Sequence, residues 1–391
     1  MLPNIQVLQV VRPTEGGIGK HLTALTENLI DYFDVTVACP ESSTIEKRLK
    51  LSGIKTLPLP LTGTVSRKDL NTFKILYQYM RNNKIKLVHS HGAKAALLAR
   101  PAAVLARVPV NIYTAHNSII NSNWPSWKNN LAAMVEYVLS LHTDSIITVS
   151  RALSEEISKS EKIPRSKIKV IPNGIDDKAL ERVLDRKKIK SEFGIPQGSQ
   201  IVGTVARMAP QKGLHILIQA AELLVKEFDL HFLIVGDGPL RKNLQEQVQS
   251  KALGNRFTFT GALEDVSAAY SVMDFFVLPS LTEGLPLSLL EAMSFNLPVL
   301  ASRVGGIPEV IDHDECGLLF TPGDFQELAQ SIAYILKNPD LAHQYSAKAR
   351  QKIVKEFCFT QTIKETVNLY LKLLQEKVEK PSKRYMLYNR T

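Results

Sequence analysis

The feature that most restricts what this chain can fold into is the alternation, through both halves, of short unbroken apolar runs with helical patterns. In the first half the strand-forming runs are Ile5–Val11, Val35–Ala38, Leu87–His89, Val110–Ala115 and Ser145–Val149. In the second they are Ile201–Val205, Phe232–Val235, Phe257–Thr260, Phe275–Pro279 and Pro298–Ala301, each followed by a helical stretch. Runs that are apolar at consecutive positions are buried on both faces, which means parallel sheets covered by helices. Between the first two runs, Ile18, Leu22, Leu25, Leu29 and Phe33 recur three or four residues apart and predict a helix. At 391 residues the chain exceeds what one core organises. The expected fold is therefore α/β, with two doubly wound, Rossmann-like domains facing a central cleft.

Turn formers cluster at Ile171-Pro172-Asn173-Gly174-Ile175-Asp176 and mark the junction. The expected organisation is an N-terminal domain over 1–172 and a second domain over 173–360, the latter with an internal linker at Phe193–Ser199. A closing helix over 361–378 is expected to cross back to the N-terminal domain, and the tail 379–391 to fray. Lys380–Thr391 has four basic residues and no acidic one.

The charge is divided unevenly. Residues 1–172 hold 22 Lys and Arg against 12 Asp and Glu, whereas residues 173–391 hold 26 of each. Residues 44–107 alone hold 13 basic and two acidic residues, Glu46 and Asp69. Attraction to polyanions belongs to the first half. That half has no helix-turn-helix, zinc or RNP pattern, so a nucleic-acid partner is not expected. Cys39, Cys316 and Cys358 lie far apart, which argues against a disulfide scaffold or a structural zinc site and suits a reducing cytosol. The opening MLPNIQVLQVV has no basic n-region, and no apolar run approaches a membrane span, so neither a secretory signal nor a transmembrane helix is expected.

In doubly wound folds, ligands bind beyond the carboxyl ends of the strands, so the loops there should carry the chemistry. The first such loop holds Gly16, Gly17 and Gly19 ahead of a helix. The arrangement suits either a tight turn or an anion at a helix N-terminus. It is not a P-loop, because Thr14 stands where the first glycine is required and His21 follows Lys20. Arg207 and Lys212 share one strand-to-helix turn, where a guanidinium fork and a point charge suit a pyrophosphate; read alone, they are equally two solvated charges. Glu283 precedes a helix in which Pro286 is expected as an early residue and Glu291 lies in the second turn. Leu289, Leu290, Ala292 and Met293 flank Glu291, so its carboxylate must be satisfied by some partner. His116 ends an apolar strand run, where it can hydrogen-bond a sugar hydroxyl. His89 and His91 have no carboxylate or Cys at ligand spacing, and loop hydrogen bonding is the expected use. Asp274 is read as structural, and no metal is predicted.

Glu283-x7-Glu291, with Arg207 and Lys212 upstream, VIPNGID at 170–176 and LIVGDGP at 233–239, resembles glycosyltransferase family 4, retaining enzymes of GT-B architecture. The resemblance covers nearly the whole chain, from Gly16-Gly17 to the closing helix. It implies that Arg207 and Lys212 hold the pyrophosphate of a nucleoside-diphosphate sugar. It implies too that Glu291 takes the ribose hydroxyls and Glu283 the donor-sugar hydroxyls. The backbone at Gly284-Leu285 would meet sugar and phosphates, Gly16-Gly17 would close on the phosphates, and the turn at Gly236 would lie near the base. His116 matches the family's histidine near the donor sugar. No protein nucleophile is assigned.

The expected function is retaining glycosyl transfer to a glycan or lipid-linked acceptor in surface polysaccharide or glycolipid assembly, with no cofactor. A sugar-nucleotide epimerase or hydrolase on the same architecture is the alternative. Because the charge excess lies in the half that does not bind the donor, an anionic membrane surface is an expected partner. Trp124, Trp127, Leu131, Val135 and Val138 fall at helical spacing and suit an interfacial helix, or else a core stripe. The chain is therefore expected in the cytoplasm, peripheral on the inner face of the membrane.

Overall fold

A computed structural model describes residues 5–12, 17–62, 66–120, 124–175 and 185–379. The chain divides into two compact units, residues Met1–Asn173 with Thr360–Thr391, and Gly174–Phe359. Gly16, Asp176 and the tail beyond residue 379 lie outside the described residues.

The first unit is built on seven parallel strands: β1 Gln6–Val11, β2 Asp34–Pro40, β3 Lys55–Leu59, β4 Leu87–His91, β5 Val110–Ala115, β6 Ser145–Thr148 and β7 Ile168–Val170. Their order is β3-β2-β1-β4-β5-β6-β7. The second unit has six parallel strands: β8 Gln200–Val205, β9 Leu230–Val235, β10 Phe257–Gly261, β11 Phe275–Leu278, β12 Val299–Ser302 and β13 Leu318–Phe320, in the order β10-β9-β8-β11-β12-β13. Both sheets start in the middle, wind outward, then reverse. The reversal between β1 and β4, and again between β8 and β11, opens a crevice at the carboxyl edge of each sheet.

Three strands went unrecognised in the sequence: β3, β7 and β13. All three are sheet edges. An edge strand buries less, so Lys55 and Pro58 in β3 and Lys169 in β7 are tolerated and break the apolar run. The helix expected after β1 spans Gly17–Leu29, and Leu22, Leu25, Leu29 and Phe33 are buried. The closing helix runs over Phe359–Leu374 and belongs to the first unit. Counting residues 360–391 there, with seven basic and three acidic side chains, puts the first unit at +14 and the second at −4.

The helix Ser126–Leu141 in the first unit is turned inside out. Its buried residues are Glu136 and Ser140, while Trp127, Leu131, Met134, Val138 and Leu141 are exposed, Trp127 at 68%. Glu136 is held by Arg100 in a two-pronged ion pair of 2.6 and 2.5 Å. The Arg100 guanidinium also lies 4.5 Å over the Tyr113 ring. A buried ion pair of this kind fixes the rotation of the helix and leaves its apolar stripe outward. Trp124 precedes the helix, with the Lys128 ammonium 4.0 Å from its ring centroid.

Candidate functional site

In the second unit the residues singled out above gather at the β8/β11 reversal. Arg207 and Lys212 follow β8, and Glu283 follows β11. Arg207 is exposed and makes no ion pair among the described residues. Lys212 closes a single 3-10 turn, Pro210–Lys212, and its ammonium lies 2.5 Å from Glu283 Oε1. Ser280 Oγ donates to the same oxygen at 2.7 Å. Both Lys212 and Glu283 are largely shielded from water, which raises the cost of leaving either unpaired.

The loops that carry these groups interlock through backbone. Met208 N–H donates to Asp237 O, Leu281 N–H to Gln211 O, and Gly306 N–H to Gly284 O. Two glycines permit this closeness. Gly236 (φ +129°) and Gly305 (φ +51°) occupy left-handed backbone, and a Cβ there would lie 2.1 Å from Ala206 O and 1.7 Å from Glu283 O respectively. The Gly236 turn thus braces the Arg207 loop, and Gly305 braces Glu283.

The helix after Glu283 runs over Leu287–Ser294, with Pro286 as its N-cap rather than its first helical residue. No side chain caps it. Leu285 and Gly284 are buried immediately ahead of it. The partner required by Glu291 is Tyr270, whose hydroxyl donates to Glu291 Oε2 at 2.9 Å. Burial, reinforced by the Glu291 charge, pushes the Tyr270 phenol well above its ordinary range, so it remains a donor. Asp274 is structural as expected: it pairs with Arg186 at 2.6 Å and accepts from Ile201 N–H at 2.7 Å.

At the carboxyl edge of the first unit, Arg12 follows β1 and its charge helps to lower His116, while the remaining groups are histidines and neutral polar side chains. His89 and His91 are not in a loop. They belong to β4, two residues apart and therefore on one face. Both are buried, as are Gln9 on β1 and Thr114 on β5. His116 follows β5, with its Nε2 buried and without a hydrogen-bond partner. Together with His21, Asn173 and Thr366, these histidines line a cavity. Desolvation lowers His89 and His116 to about 3 and drives His91 well below its ordinary value, so all three are uncharged at neutral pH. Among the described residues, no cluster of three or more His, Cys, Asp or Glu is arranged to hold a metal. Gly17 begins the helix after β1.

Sequence reasoning missed Gln9, Tyr270 and Tyr370 as partners of these groups. The period-two spacing of His89 and His91 was the available signal for a shared face.

The profile of Glycosyltransferase Family 4 matches residues 15–179, and that of Glycosyl transferases group 1 matches residues 185–352. The chain is 28% identical over 354 residues to a UDP-Gal:alpha-D-GlcNAc-diphosphoundecaprenol alpha-1,3-galactosyltransferase of Escherichia coli, covering 89% of this chain and 91% of that one. It is 32% identical over 285 residues to a 2-deoxystreptamine glucosyltransferase of Streptomyces kanamyceticus, covering 69% and 72%. Among solved structures, Anabaena HepE in complex with UDP and glucose superposes with a TM-score of 0.83 at 21% identity, over 94% of this chain and all of that one (100%).

Proposed function

The chain belongs to glycosyltransferase family 4, with the two-domain GT-B fold, and on that premise we propose a retaining enzyme that moves a sugar from a nucleoside-diphosphate sugar to a lipid-linked or glycan acceptor. That it is a glycosyltransferase follows from its relatives. The observation that carries the finer reading is the pairing of Lys212 with Glu283 beside the exposed Arg207, at the reversal of the second sheet. A cation and an anion held together at such an edge match a ligand that brings both phosphates and hydroxyls. In this reading Arg207 and Lys212 hold the pyrophosphate and Glu283 the donor-sugar hydroxyls. Glu291, oriented by Tyr270, takes the ribose. The backbone at Gly284-Leu285 meets sugar and phosphates, and the Gly236 turn flanks the base. Charge developing on the leaving phosphate is stabilised by Arg207, Lys212 and the uncapped start of the helix Leu287–Ser294, without a metal.

The first unit takes the acceptor, with Gly16 and Gly17 serving the phosphates and His116 the donor sugar. The E. coli relative is named for a UDP-linked donor and a diphosphate-lipid acceptor, which supports the same classes here. No helix among the described residues is long and apolar enough to cross a membrane. The outward apolar stripe of Ser126–Leu141 and the +14 charge of the first unit support peripheral attachment to an anionic cytoplasmic leaflet, and assembly of a surface polysaccharide or glycolipid there.

Incubation with a panel of nucleoside-diphosphate sugars, with and without lipid-diphosphate acceptor, tests the reading. Nucleotide release that depends on acceptor is expected. Equal release without acceptor would point to hydrolysis and contradict it.

A further inference from the structure

The closing helix places one residue deep in the first unit. Tyr370 is fully buried, and its ring meets Phe33 and, edge-on, His89. Its hydroxyl joins a chain of hydrogen bonds across three adjacent strands. Gln9 Nε2–H donates to the Tyr370 hydroxyl oxygen at 2.8 Å. The hydroxyl lies 2.5 Å from His89 Nδ1, and His89 Nε2 lies 2.6 Å from Thr114 Oγ1. His91 Nε2 lies 2.5 Å from Gln9 Oε1.

These bonds are not independent, because each group has a fixed number of protons. With the Gln9 amide nitrogen on Tyr370, its oxygen accepts, and His91 must carry its proton on Nε2. A neutral imidazole has only one such proton, so His91 Nδ1 is left with a bare lone pair. The Tyr370 hydroxyl, having accepted from Gln9, donates to His89 Nδ1, and His89 Nε2–H donates to Thr114. Reversing any link would require the others to reverse.

The structure assigns to Tyr370 and Gln9 the task of fixing the tautomer of His91, so that His91 Nδ1 and the neighbouring His116 receive a hydroxyl group of a neutral sugar. The His91 and His116 rings stack with centroids 6.0 Å apart, and both line the cavity. His116 brings to it a buried Nε2 that lacks a partner. His91 has its one N–H engaged by Gln9 and turns a bare lone pair toward the cavity, which repels a phosphate oxygen, whereas a hydroxyl can donate to that nitrogen and accept from His116. Tyr370 and Gln9 touch no substrate; they are positioning residues. The inference rests on the reading that the first unit receives a sugar.

The test is long-range nitrogen–proton NMR of the full-length protein labelled with ¹⁵N-histidine, with resonances assigned by single histidine replacements. His91 is expected as one tautomer, protonated on Nε2, and glucose at high concentration should shift His91 and His116 whereas inorganic phosphate should not. Tyr370→Phe frees the Gln9 amide to turn over, and Gln9→Met removes both bonds, so either variant should lose the single tautomer and show both. A wild-type His91 protonated on Nδ1, a response to phosphate and not glucose, or an unchanged single tautomer in a folded variant would overturn the proposal. The wild-type spectra decide it even where a variant does not fold. Nucleoside-diphosphate binding is read separately, so a failure of the donor site leaves this outcome distinguishable.

Discussion

The carboxyl edges of the two sheets occupy the same place in the same topology, yet they are furnished in opposite ways. At the second, a lysine and a glutamate face each other beside an exposed arginine. At the first, three uncharged histidines gather: His89 and His91 are buried and linked to a glutamine, a threonine and a tyrosine, while His116 lies within reach of the Arg12 charge. The net charges run the other way, with the unit read as the nucleotide binder at −4 and its counterpart at +14. In the proposed reading, Arg207 and Lys212 would hold an anionic ligand locally whatever the unit's net charge, while the excess on the first unit would act over a surface.

The largest effect that can sharpen this contrast lies in the first unit. Glu136→Ala leaves Arg100 buried without its partner and should cost ~3–5 kcal/mol in thermal or denaturant unfolding. Arg207→Ala, at an exposed position, should leave unfolding nearly unchanged. Next comes pH. His89 and His116 titrate near 3 when folded and near 6.5 when unfolded, so the unfolded chain binds more protons between those values. Stability should therefore fall as pH drops below about 6.5, by up to ~2.7 kcal/mol per pH unit for the two. Glu161, pushed up to about 7 by burial, runs the other way: it is protonated when folded, and its contribution is lost as pH rises through that value. Glu161→Gln should consequently steepen the acid loss between about pH 5 and 6.5.

Smaller effects divide the second unit. Lys212→Ala and Arg207→Ala should each weaken nucleoside-diphosphate binding by ~1.5–3 kcal/mol. Lys212→Ala alone should also lower stability, because it strands Glu283, and Glu283→Gln in the same chain should restore part of that loss. By calorimetry, Glu291→Gln should weaken nucleotide and nucleotide-sugar alike by ~1 kcal/mol, while Glu283→Gln should affect only the sugar-bearing ligand. Finally, Trp127→Ala should reduce co-sedimentation with anionic vesicles, which should itself weaken as salt rises; recovery equal to that with neutral vesicles would break the membrane reading.

The sequence made the central strands legible because burial on both faces leaves an unbroken apolar run. The edges β3 and β7 lack that constraint and were invisible, whereas β13 is buried and apolar but only three residues long, too short to stand out. Arg207, Lys212, Glu283 and Glu291 were legible as a motif, but not that Lys212 and Glu283 would meet, since they stand 71 residues apart. The tyrosines were lost for the same reason. Tyr370 reaches Gln9 across 361 residues, and nothing near it in the chain marks it out. The helix Ser126–Leu141 shows the reverse limit. Its apolar stripe was plain, but its direction depended on Arg100, whose ion pair with Glu136 only the fold reveals.

The most direct test of the account compares nucleoside-diphosphate affinity, by calorimetry, in wild type, Arg207→Ala and His116→Ala. The contrast between the edges predicts a dissociation constant raised roughly 10- to 150-fold by Arg207→Ala and changed less than about threefold by His116→Ala. Unchanged affinity in Arg207→Ala, or a larger loss in His116→Ala, would contradict it.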